Sequence, residues 1–288
     1  MEVTSKFSSY SKFAKVQFVK RIRNGGSLKE VKNMPDKIIK GEGLWNGRLL
    51  KFNTLESTNV WAVQHIDFCQ NGDVIWAVRQ TMGKGRLSRV WLSPDDKGLT
   101  LSVVVEFKNN RIIPAVNFAA ALAVNKTLKM FSLKGSLKWP NDVLVRGRKI
   151  AGILSEAKPE RNFVVVGIGL NVNMKKSDIE SANFSFPATS MLIEIGRPLE
   201  MDILRKVLVS SLEKNIDSLF IHGTKVVIDS WEKYDWLSGS LIEIDTPAGV
   251  IKGTYNGMDE QGRLRLIDKN GCENLFWSGD VKKVVAVD

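Results

Sequence analysis

The sequence contains little cysteine and little histidine, and this scarcity excludes several classes of protein. It has two of each: Cys69, Cys272, His65 and His222. Two cysteines so far apart argue against a disulfide framework and favour a reducing compartment. No cluster has the spacing of zinc ligands, and neither histidine has a setting that suits the base of a Ser-His-Asp hydrolase. We therefore interpret both histidines as surface or packing residues.

Long hydrophobic runs are missing as well. No stretch of about 18 apolar residues occurs, so we expect no membrane span. Of the 288 residues, 43% are hydrophobic and 25% are charged, which is the composition of a soluble globular protein. The length allows one large domain or two smaller ones. We expect the protein to lie in the cytoplasm.

Positive charge is in excess and is concentrated near the N-terminus. The net charge of +11 predicts attraction to anions such as nucleotides, nucleic acids or acidic proteins. Residues 1–50 alone hold eleven basic and four acidic residues. Because residues 1–45 show only weak periodicity, we interpret them as a basic tail or a small appendage. An organelle-targeting peptide is the third open interpretation.

The pattern from about Leu49 onward predicts an α+β fold. Apolar segments at 73–79 and 98–107 indicate buried strands, and Pro114 opens a helix that runs to about Met130. Arg146-Gly147-Arg148 indicates a β-hairpin, which makes its strands antiparallel and excludes a doubly wound sheet. Residues 202–220 form the clearest helix. We predict a mixed, largely antiparallel sheet flanked by helices, in a domain of residues 46–236.

The C-terminal residues 237–288 have a different pattern. Beyond Gly239, short strands alternate with turns about every eight to twelve residues, and two of the turns are Asp259–Gly262 and Lys269–Gly271. This spacing predicts a second, smaller domain with the architecture of a β-barrel.

A first candidate site lies in residues 79–91, RQTMGKGRLSRVW. This loop carries two glycines and three cations, which are Gly83, Gly85, Lys84, Arg86 and Arg89. A flexible backbone with clustered cations suits the capture of a phosphate or carboxylate, with closure over the ligand. A solvated basic surface loop explains the pattern equally well. The P-loop motif is absent.

A second candidate lies in residues 138–154, KWPNDVLVRGRKIAGIL. Pro140 restricts the backbone, so Asn141 and Asp142 are expected to be held rigidly at a strand edge. Lys149 follows the hairpin turn and can point back to the same place. An amide, a carboxylate and an amine together can orient an anionic substrate and an amine nucleophile. Taken alone, the segment is better explained by an ordinary turn in which Asp142 bonds its own backbone.

A third candidate is Val164–Asn173, VVVGIGLNVN. Gly167 and Gly169 flank one residue at the end of an apolar strand, which suggests a backbone packed against a flat ligand. A strand-end bulge is the equal alternative. The dinucleotide-binding fingerprint fails because its third glycine is missing.

Together with Ser57-Thr58, these segments resemble the biotin protein ligase family over about residues 45–288, in order and in spacing. The family's motifs K-W-P-N-D, R-K-x-A-G-I-L, G-x-G-x-N and W-E-K-x-D stand at Lys138–Asp142, Arg148–Leu154, Gly167–Asn171 and Trp231–Asp235. The glycine loop, usually G-R-G-R-x-G-R, departs from the family at Lys84 and Ser88. We expect these departures to alter how tightly the adenylate is held without abolishing activity.

The resemblance implies a catalytic domain like that of the class II synthetases and a C-terminal SH3-like β-barrel. It implies a biotin–[acetyl-CoA-carboxylase] ligase, which forms biotinyl-5′-AMP and pyrophosphate from biotin and ATP. The biotin then passes to a lysine of a carboxylase carrier domain. Mg²⁺ is expected with ATP, and its protein ligands are left unassigned.

The resemblance also implies roles for individual residues. Three are expected to be catalytic: Lys149, Arg86 and Asp142. Biotin is expected to contact Ser57, Thr58, Gln80, Gly83, Lys84, Arg86, Lys149, Gly152, Ile153 and Gly167. ATP is expected to contact Arg86, Arg89, Trp91, Lys138, Asn141 and Asn171.

Two alternatives and one question stay open at this point. A lipoate ligase has a similar architecture, but it usually carries a glycine triplet with small residues where this chain has Gly83–Arg86. A ligase that also represses biotin genes would need an N-terminal DNA-binding module. Residues 1–45 lack the paired amphipathic helices of such a module, so we expect no sequence-specific DNA binding. Whether the protein is a homodimer is left open.

Overall fold

The computed structural model of this chain describes residues 34–92, 96–107, 113–182, 184, 186–246 and 249–284. Most of the predicted basic tail, residues 1–33, lies outside the described residues, as does the side chain of Ser88. Among the described residues, no helix has the length and apolarity needed to cross a bilayer.

The larger sheet has eight strands. They are β1 (Lys37–Lys40), β2 (Arg48–Leu55), β3 (Val74–Gln80), β4 (Gly98–Glu106), β5 (Gly135–Lys138), β6 (Asp142–Val145), β7 (Arg148–Lys158) and β8 (Phe163–Asn171). Their spatial order is β1-β2-β3-β4-β8-β7-β6-β5. The pair β2 and β3 is parallel, and the other pairs of neighbours are antiparallel. The predicted mixed, largely antiparallel sheet is therefore confirmed.

Helices cover both faces of this sheet. They are α1 (Thr58–Gln64), α2 (Ile113–Met130), α3 (Lys176–Ser181), α4 (Met191–Ile195), α5 (Met201–His222) and α6 (Thr224–Glu232). The main apolar core lies between the sheet and α2, α5 and α6, and a second cluster around Trp61 lies under α1. The strands β3, β4 and β8 are apolar on both faces because each face is covered over part of its area.

The smaller sheet follows α6. It consists of β9 (Leu241–Thr246), β10 (Gly249–Met258), β11 (Leu264–Ile267), β12 (Glu273–Phe276) and β13 (Asp280–Lys283). The order is β12-β11-β10-β9-β13, with antiparallel pairing throughout. Ile242, Ile244, Leu264 and Leu266 alternate inward along their strands and join the main core. The five predicted strands are present, and closure into an SH3-like barrel stays a prediction.

The start of the larger sheet differs from the prediction. Residues 1–45 were assigned to a tail or appendage, yet Lys37–Lys40 pair with β2 as the edge strand of the sheet. Leu44 is fully buried, and the ring nitrogen of Trp45 donates a hydrogen bond to Asp217 of α5, 2.8 Å away. The boundary predicted at residue 46 is therefore too late. A four-residue edge strand bounded by lysines lacks the long apolar run that marks a central strand.

Candidate active site

A pocket of about 340 Å³ opens on the face of the larger sheet opposite α2 and α5. Its walls come from the start of α1, the loop after β3, the corner between β5 and β6, the strands β7 and β8, and the first residues of β13. The volume lies within the usual range for small-molecule sites, which is about 300–1,000 Å³. Every site residue predicted from the sequence except Gly83 lines this pocket.

Strand alternation decides which residues of β7 and β8 face the pocket. In β8, Val164, Val166 and Ile168 belong to the core under α2, so Gly167 and Gly169 point the other way. In β7, the same alternation turns Gly152 toward the pocket. Ile153, predicted to line the biotin slot, is 1% exposed with its side chain in the core. Ile153 nevertheless lines the pocket, and its contact with biotin stays a prediction.

The two glycines of β8 make room for side chains of the protein itself. A Cβ on Gly169 would lie 2.2 Å from the indole ring of Trp91, and a Cβ on Gly167 would lie 2.3 Å from Oδ1 of Asn59. Trp91 also lies over Gly152, where a Cβ would be 3.2 Å from its ring. In this structure the ring of Trp91 lies where the sequence predicted a flat ligand, so a ligand against this strand stays a prediction.

Lys149 and Asp142 form an ion pair in the pocket. Their Nζ and Oδ1 atoms are 2.6 Å apart, and the two side chains are 27% and 15% exposed. The backbone of Lys149 is held on its other side, since its N–H donates to Pro187 and its carbonyl accepts from Thr189, at 2.7 and 2.9 Å. Lys149 therefore points back across the hairpin to Asp142, as the sequence suggested.

The corner before β6 is fixed by hydrogen bonds rather than by a bond of Asp142 to its own backbone. Asn141 bonds Ile153 through its side-chain amide and its carbonyl, at 3.0 and 2.9 Å. Trp139 is 1% exposed, and its ring nitrogen donates to the carbonyl of Gly262, 3.1 Å away. Asn117 of α2 donates to the carbonyl of Pro140 at 2.9 Å. These bonds hold Asn141 and Asp142 at the mouth of the pocket.

The cationic loop folds into a small hairpin over the pocket. The N–H of Trp91 donates to Gly83 at 2.8 Å, and the N–H of Gly85 donates to Arg89 at 2.8 Å. Gly83 is thus buried behind the hairpin and does not face the pocket, which corrects its predicted contact with biotin. Lys84, which replaces the family's arginine, is exposed on the hairpin and borders the pocket.

The smaller sheet contributes to the site, which sequence reasoning missed. Arg89 forms an ion pair with Asp280. Arg86 approaches the carbonyl of Gly279 and the amide oxygen of Asn141, each at 3.4 Å. Burial lowers the pKa of Arg86, while the charges of Asp280 and Asp142 act in the opposite direction. Nothing local around Asp280 marks it as a site residue, because its partner lies 191 residues away.

Two further predicted residues are held by specific contacts. Lys138 is 8% exposed, with Nζ 4.2 Å from the ring centroid of Phe186, and burial lowers its pKa. Asn171 is 5% exposed and donates its side-chain amide to the carbonyl of Thr189 at 3.0 Å. The side-chain amide of Asn171 therefore already donates a hydrogen bond within the protein, and little of the side chain is exposed to the pocket.

At the opposite end of the pocket the polar residues are uncharged. Ser57 and Thr58 are each 4% exposed at the start of α1, and the N–H of Thr58 donates to Oε1 of Gln80 at 2.7 Å. Two more buried polar residues, Asn59 and Ser102, lie directly behind Thr58. Sequence reasoning missed both. Ser102 looks like any small residue of a buried strand.

The fold and the pocket are those of the class that joins an acyl group to a protein. The model of the "Biotin/lipoate A/B protein ligase family" matches residues 49–173. A biotin–[acetyl-CoA-carboxylase] ligase of Mycobacterium tuberculosis is 31% identical over 223 residues, which cover 73% of this chain and 79% of that protein. The chain belongs to the biotin protein ligase family, as the sequence motifs predicted.

Two other relatives extend the comparison. The protein named "Bifunctional ligase/repressor BirA" of Bacillus subtilis is 29% identical over 216 residues, and the match spans 66% of its length. A solved biotin protein ligase of Aquifex aeolicus, in complex with biotin and ATP, is 25% identical with a TM-score of 0.70. That match covers 82% of this chain and 99% of the Aquifex chain.

Proposed function

We propose that this chain is an ATP-dependent biotin–[acetyl-CoA-carboxylase] ligase that makes biotinyl-5′-AMP and transfers the biotin to a lysine of a carboxylase carrier domain. The observation that carries the proposal is the meeting of three elements in one pocket. These are the ion pair of Lys149 and Asp142, the cationic loop, and the uncharged polar end around Thr58. Family membership, with relatives named as biotin ligases, supports it.

The first step brings together anions that repel each other. The carboxylate of biotin attacks the α-phosphorus of ATP, a carboxyl–phosphate bond forms, and pyrophosphate leaves with the electrons of the broken P–O bond. In this proposal Lys149 contacts the carboxylate and the α-phosphate, where charge develops in the transition state. Arg86, Arg89 and Lys84 border the same space and can neutralise the leaving phosphates.

Mg²⁺ is expected to arrive with ATP. The described residues hold no group of three or more His, Cys, Asp or Glu side chains that could ligate a metal. Of the three aspartates that line the pocket, Asp142, Asp245 and Asp280, the first and the last each already pair with a cation. The donor set thus fits Mg²⁺ carried mainly by phosphate oxygens and water, with at most one of these carboxylates as a protein ligand. The ion supplies additional neutralisation of phosphate charge.

The second step uses Asp142. The free amine of the acceptor lysine attacks the carbonyl of the adenylate, an amide bond forms, and AMP leaves as the anhydride bond breaks. Asp142 lies at the mouth of the pocket, 15% exposed, where it can orient the incoming amine and take up the proton that the amine loses. The hairpin over the pocket keeps water from the anhydride until the acceptor enters.

The decisive experiment measures the two steps separately. Purified protein with MgATP and biotin should release pyrophosphate without any acceptor, and labelled biotin should reach a carboxylase carrier domain when that domain is added. Omission of ATP is the control. Lipoate in place of biotin tests the related lipoate ligase activity, and turnover of lipoate in preference to biotin would overturn the proposal.

A further inference from the structure

A continuous chain of hydrogen-bonded side chains starts at the carboxylate of Glu156 and ends at Thr58, at the uncharged end of the pocket. Its Oε2 atom accepts from the Nδ2 atom of Asn59 at 2.8 Å. Ser102 Oγ lies 2.7 Å from both Oδ1 of Asn59 and Oγ1 of Thr58. Thr58 Oγ1 is also 3.1 Å from Oε1 of Gln80. The chain connects three secondary-structure elements, since Glu156 is on β7, Ser102 on β4, and the other two members at the start of α1.

The direction of each hydrogen bond follows from the first one. The carboxylate of Glu156 and the carbonyl of Leu154 can only accept, and both take protons from Nδ2 of Asn59, at 2.8 and 3.0 Å. Oδ1 of Asn59 must therefore be the atom that faces Ser102, and it also can only accept. Ser102 has one hydroxyl proton, which it donates to Asn59. Ser102 then accepts from the hydroxyl of Thr58.

Thr58 is left as an acceptor toward the pocket. Its one hydroxyl proton is directed to Ser102 at 2.7 Å rather than to Gln80 at 3.1 Å. Gln80 Oε1 keeps its bond from the backbone N–H of Thr58 at 2.7 Å. The lone pairs of Thr58 Oγ1 that remain can only receive a proton, so this end of the pocket suits a ligand that brings N–H groups.

The backbone of β8 leaves space for the hydrogen-bonded side chain of Asn59. Gly167 lies against Asn59, and a Cβ there would be 2.3 Å from Oδ1 of Asn59 and 2.8 Å from its Cγ. Ser102 is 0% exposed and Asn59 is 3% exposed, so water cannot replace a missing partner at low cost. The direction of the Thr58 hydroxyl proton is therefore set by buried residues behind it.

We propose that Glu156, Asn59 and Ser102 are positioning residues that fix the hydroxyl of Thr58 as a hydrogen-bond acceptor, so that the pocket selects an acyl acid whose ring carries N–H donors. This inference rests on the proposed function, in which the ureido ring of biotin occupies this end. It accounts for discrimination against lipoate, whose dithiolane ring has no N–H.

The main test compares Ser102→Ala with a matched control on the same strand. Thr100→Val also removes a buried hydroxyl, one that bonds the carbonyl of Ala77 at 3.0 Å and lies outside the chain. In Ser102→Ala the proton of Thr58 is free to turn toward Gln80 or the ligand, and Asn59 loses its donor. We expect the KM for biotin in pyrophosphate release to rise about tenfold, with kcat within threefold of the wild-type value, whereas Thr100→Val leaves KM unchanged.

Ligands of different ring chemistry distinguish positioning from general damage. Desthiobiotin keeps the ureido N–H groups and should lose affinity by the same factor as biotin. Lipoate, measured by competition, should not lose affinity. An equal loss for lipoate, or the same rise in KM in Thr100→Val, would overturn the inference. If the wild-type protein makes no biotinyl-AMP at all, it is the proposed function that fails.

A second pair of variants covers the case in which Ser102→Ala does not fold. Glu156 is only half-buried, so changes there are tolerated more easily. Glu156→Gln keeps a carbonyl oxygen that accepts from Asn59 and should retain the wild-type KM for biotin. Glu156→Leu removes the acceptor and should raise that KM several-fold. Equal KM values for biotin in the two variants would contradict the proposed chain of hydrogen bonds from Glu156 to Thr58.

Discussion

Replacement of Lys149 by alanine removes the amine that, in the proposed function, contacts the biotin carboxylate and the α-phosphate. Its Nζ atom is 2.6 Å from Asp142 and 5.7 Å from the centroid of the Trp91 ring. The ion pair is partly exposed, at 27% and 15%, so the loss should lower the free energy of unfolding by only about 1–2 kcal/mol. We expect Lys149→Ala to fold and to bind ATP.

The expected effect on adenylate formation is much larger. Removal of a single donor to a developing negative charge typically lowers kcat by about 10²–10³-fold. Lys149 is placed to serve two anionic groups at once, and its backbone is fixed by Pro187 and Thr189, so little is lost in orienting it. We therefore expect a loss near 10³-fold, which corresponds to about 4 kcal/mol of transition-state stabilisation.

The assay follows pyrophosphate release with biotin and MgATP in the absence of acceptor. A parallel assay supplies synthetic biotinyl-5′-AMP and a carrier domain, which bypasses the first step. Transfer in the second assay should fall much less than pyrophosphate release in the first. Lys149→Arg is the matched control, because it keeps the charge but changes the geometry and should recover part of the rate.

Two results for Lys149→Ala would refute the role assigned to this residue. If Lys149→Ala keeps the thermal midpoint of the wild type and releases pyrophosphate within tenfold of the wild-type rate, then Lys149 does not stabilise the first transition state. If both assays fall equally while the midpoint drops, the residue is structural.

Three further changes test other parts of the site. Arg86→Gly should let biotinyl-5′-AMP escape, so that lysines of an added bystander protein become labelled, and labelling of the carrier domain alone would contradict closure by the loop. Asp280→Asn should lower the KM for ATP about two- to fivefold, because Arg89 loses the carboxylate that competes with phosphate. The ion pair of Arg89 and Asp280 is partly exposed, so the effect on KM should shrink at high salt. Gly169→Ala places a Cβ 2.2 Å from the ring of Trp91. It should raise the KM for ATP about tenfold with a nearly unchanged thermal midpoint. An unchanged KM would show that the position of the ring has no role in ATP binding.

Much of the fold could be predicted from periodicity alone. The helix expected from Pro114 to about Met130 runs over Ile113–Met130, and the helix expected at 202–220 runs over Met201–His222. Both end where the local pattern ends, and Gly223 follows the second with a φ of 79°. These elements depend on neighbouring residues, and a single sequence contains that information.

The parts of the site that were missed depend on distant partners or on register. The pairing of Arg89 with Asp280 joins two sheets, and no local pattern indicates it. Ile153 was assigned to the pocket with Gly152, although neighbouring residues of a strand point to opposite faces. The network around Ser102 required knowledge of which strand lies beneath α1.

In the proposed function, recognition and chemistry occupy different ends of one pocket. The uncharged end is built from α1, β4 and β7, and its hydrogen bonds are directed by Asn59 and Ser102. The other end combines the hairpin, the corner before β6 and the smaller sheet, and it holds the charged residues. Because the two ends share no ion pair among the described residues, a change at the uncharged end should alter the affinity for biotin with little effect on kcat. A change at the charged end should lower kcat with little effect on the affinity for biotin. Lys149 and Ser102 are therefore expected to give opposite patterns of kcat and of KM for biotin.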